Sequence, residues 1–225
     1  MDDVFKYFIA WLPILIICFY VYKTVRPERS ILWSFSLTFL LGGLGTIPLL
    51  FWQAWISTTS IAQNINIWKT LIMAFLIVAA SEEIVKALVT YLYPYQSFFN
   101  KHLDGIAYST TTAMGFATVE NFLYAYQNDW SNLLVRAVTA VPLHATLGII
   151  VGYYFGLAKL NKAKKWNYIF RGLFLAIGLH GLYDFFILQQ IHENLMGIAI
   201  LILGFVFGLA IVMVKKVQRY DKVIP

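Results

Sequence analysis

Glu82 and Glu83 stand side by side inside an apolar segment, Leu71–Tyr93, that is long enough to cross a bilayer, with Lys86 about one helical turn later. Later apolar segments add Glu120, His144, His180 and Asp184. Carboxylates serve as general bases or metal ligands; imidazoles serve as ligands, proton carriers or donors to developing negative charge. A charge at the centre of a membrane helix costs roughly 2.5–3.5 kcal/mol on insertion scales. If Glu82, Glu83, Lys86, Glu120 and Asp184 all faced lipid, the gross penalty would be about 12–18 kcal/mol. These groups must therefore turn inward, meet one another and line a polar cavity.

The spacing says who meets whom. On a helix, Glu82 and Lys86 are i,i+4 neighbours and Glu83 and Lys86 are i,i+3 neighbours. Lys86 can hold one carboxylate ionised, and the other, beside a like charge in a poorly hydrated site, becomes usable as a general base. The second element is Phe116-x-x-x-Glu120-Asn121, the third is His144 in Pro142-Leu143-His144-Ala145, and the fourth is His180-Gly181-Leu182-Tyr183-Asp184. His180 and Asp184 share a face, so the carboxylate can orient the imidazole and fix its tautomer. Together these are parts for water-mediated hydrolysis, and two mechanisms fit. In one, Glu82 or Glu83 activates water while a histidine stabilises the oxyanion. In the other, His144, His180 and a carboxylate, with Glu120 the candidate, hold Zn²⁺ and so activate the water bound to it. The spacing is not H-E-x-x-H, so any metal ligands come from different helices.

The elements that must position these groups follow from hydropathy. The chain has 225 residues, 60% of them hydrophobic and 12% charged, against about 25% charged in a soluble domain. Its mean hydropathy is +0.70. This is an all-α polytopic membrane bundle, expected to form one integral membrane domain over residues 1–225, with the polar core carried by residues 71–190. Seven spans are expected: Val4–Tyr22, Ile31–Phe51, Leu71–Tyr93, Leu103–Tyr126, Leu133–Ala158, Tyr168–Leu188 and Leu195–Val214. Asp2 and Asp3 precede the first run where a cleavable signal would be basic, so that segment is expected to stay as a helix. Pro13 and Pro48 fall inside the first two spans. Cys18, the single cysteine, excludes an intrachain disulfide or a cysteine-based metal site.

The net charge of +6 does not point to nucleic acid, because the cations cluster at span ends. Lys23, Arg26, Arg29, Lys101, Lys159, Lys162, Lys164, Lys165, Arg171, Lys215, Lys216, Arg219 and Lys222 fall on one side; Lys6, Lys69 and Arg136 fall on the other. By the positive-inside rule the N-terminus is outside and the C-terminus cytoplasmic. Trp52, Trp55, Trp68, Trp130 and Trp166 lie near span ends, as an aromatic belt requires. Counting inward at ~1.5 Å per residue puts the polar residues in the outer half of the membrane, reaching the midplane. The stripe Gly148, Gly152, Gly156 and the pair Gly204, Gly208 both read as close helix packing, and Ser109–Thr112 as interhelical hydrogen bonding.

E-E-x-x-K, then F-x-x-x-E-N, then a lone His, then H-x-x-x-D, on successive membrane helices, resembles the PrsW family of bacterial intramembrane proteases. It is more distantly similar to the CAAX-prenyl-protease and bacteriocin-processing superfamily. The likeness runs from Ser81 to Asp184. It implies proteolysis of a membrane-anchored protein near its extracytoplasmic face, with an anti-sigma factor as the expected type of substrate. It also implies catalytic positions at Glu82, Glu83, Glu120, His144 and His180, with Asp184 as a helper. The wider superfamily usually has E-E-x-x-x-R and a second motif ending in His; Lys86 and Glu120 stand here instead, in agreement with the PrsW branch. The family is often labelled metalloprotease. The main rival reading is a transporter or proton pathway, which uses the same intramembrane residues but typically shows internal repeats; none is found. A haem protein ligated by the two histidines is a further rival, poorly suited by three nearby carboxylates.

Overall fold

The computed structural model describes residues 2–25, 31–63, 66–127, 130–189 and 193–222. It is about 92% helix, with no strand among the described residues. Seven long rods account for nearly all of it. We label them α1 (Asp2–Val25), α2 (Ile31–Ser57), α3 (residues 67–92), α4 (His102–Gln127), α5 (residues 130–160), α6 (Lys165–Leu188) and α7 (Met196–Asp221). Five of them (α1, α2, α5, α6 and α7) are long and apolar enough to cross a membrane. The other two, α3 and α4, carry Glu82, Glu83, Lys86 and Glu120, whose charge lowers their hydropathy. Cations in the 26–30 connection lie outside the described residues.

α4 is the centre of the bundle, packing against α1, α2 and α5 and touching α3 and α7. Glycine makes the closest of these approaches. A Cβ at Gly148 would come within 2.9 Å of Thr110 Cα, one at Gly152 within 2.6 Å of Ile106 Cα, and one at Gly156 within 2.7 Å of the His102 carbonyl. The expected stripe on α5 therefore lies flat on α4. Gly42 and Gly115 do the same between α2 and α4. The second expected stripe fails: nothing lies within 4 Å of a Cβ built at Gly204 or Gly208. Their neighbours Leu201, Phe205 and Phe207 are exposed on the outer surface of α7, which packs inward through Ile202, Val206 and Ala210 instead. The serine–threonine run bonds between helices in part. Thr111 and Thr112 donate back to the Ala107 and Tyr108 carbonyls within α4, and Thr112 also accepts from Thr90 of α3 at 3.1 Å.

Two rods depart from regular helix, and both departures set the site. α3 begins as Ile67–Leu71, widens into a π-helical stretch at Ile72–Ala80 and returns to α-helix at Ser81–Leu92. Such widened turns concentrate at functional sites. α5, expected as one continuous span over Leu133–Ala158, is broken: Trp130–Val138 ends at Thr139, and Ala140–Leu160 follows. Pro142 explains the break. It has no N–H and fits best in a helix's first turn, and the helix that restarts at Ala140 places it there. Pro13 and Pro48 lie inside unbroken helices.

Candidate active site

The second part of α3 turns Glu82, Glu83, Lys86 and Thr90 into the bundle and leaves Ile84 and Leu88 exposed. α6 approaches closely because residue 181 is glycine: a Cβ there would sit 2.5 Å from the Phe75 ring. That contact brings the preceding residue, His180, onto Glu83. Pro142 and the restart of α5 set His144 in the second turn of the Ala140–Leu160 helix, where it points back at α3 and α4.

The result is one contiguous polar cluster contributed by four rods. Lys86 Nζ lies 2.6 Å from Glu83 Oε1 and 3.7 Å from Glu82 Oε2. It is also 3.1 Å from His144 Nδ1, and it sits over the Phe116 ring at 4.7 Å from the centroid. His180 Nδ1 bonds Glu83 Oε1 at 2.8 Å. His180 Nε2 is 3.3 Å from Asp184 Oδ2, an ion-pair distance without hydrogen-bond alignment. His144 Nε2 bonds Glu120 Oε2 at 2.9 Å, and the two imidazoles are 5.5 Å apart, edge to face. Glu82, Glu83, His144 and His180 are all at most 3% exposed. Glu120 and Asp184, at 18% and 16% side-chain exposure, form the more open edge of the cluster.

Every residue expected in the site is therefore present in this one cluster: Glu82, Glu83, Lys86, Glu120, His144, His180 and Asp184. The two glutamates are not equivalent. Glu83 is held by both Lys86 and His180. Glu82 accepts one hydrogen bond, from Gln53 Nε2 on α2 at 3.3 Å, and its Oε2 is buried without a hydrogen-bond partner. Two further residues escape the sequence reading. Gln53 has no motif to flag it. Arg136 reads there as an interfacial cation, yet its guanidinium lies 3.1 Å from Glu120 Oε1 and donates from Nε to Asn121 Oδ1 at 3.1 Å. The Asn121 of F-x-x-x-E-N, in turn, donates to the Ala10 carbonyl of α1 at 3.3 Å.

Glu82, His144 and His180 each offer a ligand atom, and those atoms lie within 4.8 Å of one another. Glu120, the carboxylate expected from sequence, instead lies between Arg136 and His144, with one oxygen against each. The donor set fits a metal. Two imidazoles and one carboxylate is a set catalytic zinc uses, and Glu82 Oε2 is an orphaned buried oxygen of the kind a cation would satisfy.

The profile described as PrsW family intramembrane metalloprotease matches residues 30–214, spanning the whole cluster. The chain belongs to the PrsW family. Its relatives include Protease PrsW of Oceanobacillus iheyensis, 35% identical over 77% of this chain and 78% of that protein. Protease PrsW of Clostridioides difficile is 29% identical over 95% and 90% of the two chains. Protease PrsW of Bacillus subtilis is 33% identical over 66% of each. No solved structure matches. Family membership and the apolar rods together make the chain a multi-pass membrane protein and a peptide hydrolase acting on a protein in the membrane.

Proposed function

We propose that the chain is an endopeptidase that cuts a membrane-anchored protein near its extracytoplasmic face, with a single-span protein of the anti-sigma-factor type as substrate. All seven rods cross the bilayer, the N-terminus outside and the C-terminus cytoplasmic, as one integral domain whose catalytic core is residues 71–190. The charge distribution supports this orientation. Lys101, Lys159, Lys165 and the basic tail sit at one end of the bundle, while Glu120 and Asp184 lie in the last two turns of α4 and α6, toward the opposite end.

The observation that carries the reading is Glu82, whose Oε2 is buried without a hydrogen-bond partner and which offers a ligand atom within 4.8 Å of one on each imidazole. Glu82 is the group assigned to the reacting water, because Glu83 is already committed to Lys86 and His180. Lys86 balances the charge of Glu83. Glu83 and Asp184 bracket His180 and fix its ring, the orienting role carboxylates play beside reactive histidines. His180 and His144 each bring a ring nitrogen near Glu82 as a ligand; a donor to the oxyanion that forms when the peptide carbonyl is attacked would have to be His180, since His144 Nδ1 accepts from Lys86. Glu82, His144 and His180 would hold a Zn²⁺ ion, which when bound supplies a water that ionises near neutral pH. Burial excludes bulk solvent, so each of these dipoles acts at low dielectric. The transport reading draws no support from the family.

The test is co-reconstitution with a panel of single-span proteins that includes an anti-sigma type. At least that substrate should be cut near the outer end of its span by the wild type and left intact by Glu82→Gln. An ion flux abolished by Glu82→Gln, with no protein of the panel cut, would overturn the reading.

A further inference from the structure

Arg136 comes from the first part of α5, six residues beyond Trp130, and its head is buried inside a socket made almost wholly by α4. Glu120 Oε1 lies 3.1 Å from one terminal nitrogen, an ion pair without hydrogen-bond alignment; Asn121 Oδ1 accepts from Nε at 3.1 Å, and the Tyr124 ring lies under the guanidinium at 3.7 Å from its centroid. A guanidinium presents its donors in a rigid planar fork, so these three contacts fix both its place and its plane. The arrangement breaks the usual rule for a membrane cation near a span end, which would extend its head to the interface.

The reason lies one residue further in. Glu120 has two oxygens, and they face in different directions: Oε1 meets Arg136, while Oε2 meets His144 Nε2 at 2.9 Å. The other ring nitrogen, Nδ1, faces Lys86 Nζ at 3.1 Å. A lysine ammonium only donates, so Nδ1 accepts, and Nε2 carries the hydrogen that Glu120 receives. The chain Arg136–Glu120–His144 thus ends on an imidazole whose Nδ1 lone pair is aimed at the Glu82–Glu83–Lys86 face of the cluster.

We propose that Arg136 is a positioning residue of the protease: it anchors Glu120 so that Glu120 holds the Nε2–H of His144 and keeps the Nδ1 of that ring directed into the site. Glu120 is then also a positioning residue, acting through His144 rather than on the substrate. The kinetic arm of the test rests on the proteolytic reading given above; the spectroscopic arm needs no substrate.

Loss of an outer partner of a reactive histidine typically costs about 10–100-fold. Arg136→Met should lower kcat by about that factor and leave KM within about twofold, because substrate binding is not touched. Glu120→Ala should give a loss of the same order, and the double variant should be no worse than the poorer single one. Arg136→Lys, which keeps the charge but not the fork, should restore only part of the activity. In ring-¹⁵N-histidine protein, with His144 assigned through His144→Gln, the Nε2–H proton should be slow to exchange in the wild type. It should be lost to exchange in Arg136→Met while the backbone spectrum is retained, and partly recovered in Arg136→Lys. If Arg136→Met does not accumulate folded, Arg136→Lys with Glu120→Ala carries the same comparison. Multiplicative losses in the double variant, or a His144 N–H signal unchanged in Arg136→Met, would overturn the proposal. Failure of the wild type to cut any substrate would instead strike the proteolytic reading and leave the spectroscopic result standing.

Discussion

Replacing Glu82 and Glu83 by glutamine one at a time should separate chemistry from stability. Glu83 is 2% exposed and is bound by Lys86 at 2.6 Å and by His180 at 2.8 Å. Glutamine at 83 leaves a buried ammonium facing an amide, and removing one partner of a buried pair costs about 3–5 kcal/mol. Glu82 stands 3.7 Å from Lys86 and keeps one weak hydrogen bond, to Gln53. Glutamine at 82 is nearly isosteric and leaves the Lys86–Glu83 pair whole, so the expected stability change is within about 1 kcal/mol, the scale of a polar contact inside a membrane bundle. Catalysis should show a different ranking: loss of the group assigned to the water should cost at least about 10²–10⁴-fold in kcat. Equilibrium unfolding in mixed micelles gives the first quantity and single-turnover cleavage gives the second. The reasoning predicts a Glu82→Gln protein that is stable and inactive, and a Glu83→Gln protein that is destabilised whatever its residual activity. A Glu82→Gln protein with near wild-type turnover, or one less stable than Glu83→Gln, would refute it.

Three further outcomes follow from the same geometry. Gly152→Ala should destabilise the bundle by roughly 1–3 kcal/mol or more, because the new methyl meets α4 backbone, whereas Gly204→Ala, with open space around it, should be silent; thermal unfolding of the two variants makes the comparison. A chelator should abolish cleavage and Zn²⁺ restore it, with about one ion per chain in the wild type by elemental analysis and none in His144→Ala/His180→Ala. Asp221, at the end of α7, accepts from the His102 and Leu103 N–H groups at 3.2 and 2.8 Å and so caps the start of α4. Asp221→Ala should therefore cost about 0.5–2 kcal/mol of stability with kcat unchanged.

The helices were readable because each is an apolar run, and the residues now seen together were readable because a charge in such a run has nowhere else to go. What sequence could not supply was facing. Gly148–Gly152–Gly156 and Gly204–Gly208 have the same spacing, but only the first turns toward a neighbour. Arg136 lies 15 residues beyond Asn121 on another helix, so no periodicity links them, and at a span end a cation has an ordinary explanation. Glu82 and Glu83 are chemically identical in sequence; their difference arises from α2 and α6, which reach one each through Gln53 and His180. The break in α5 was legible in Pro142 but was masked by continuous hydropathy through Thr139.

The central claim is that Glu82, with the two histidines, directs water onto a peptide bond inside the membrane. Cleavage of a reconstituted single-span protein in H₂¹⁸O, read by mass spectrometry of the fragments, tests it most directly. The account predicts one ¹⁸O in the new C-terminal carboxylate at a bond near the outer end of the span, formed by the wild type and absent with Glu82→Gln. Equal fragment from both proteins, or a cut confined to the soluble part of the substrate, would contradict it.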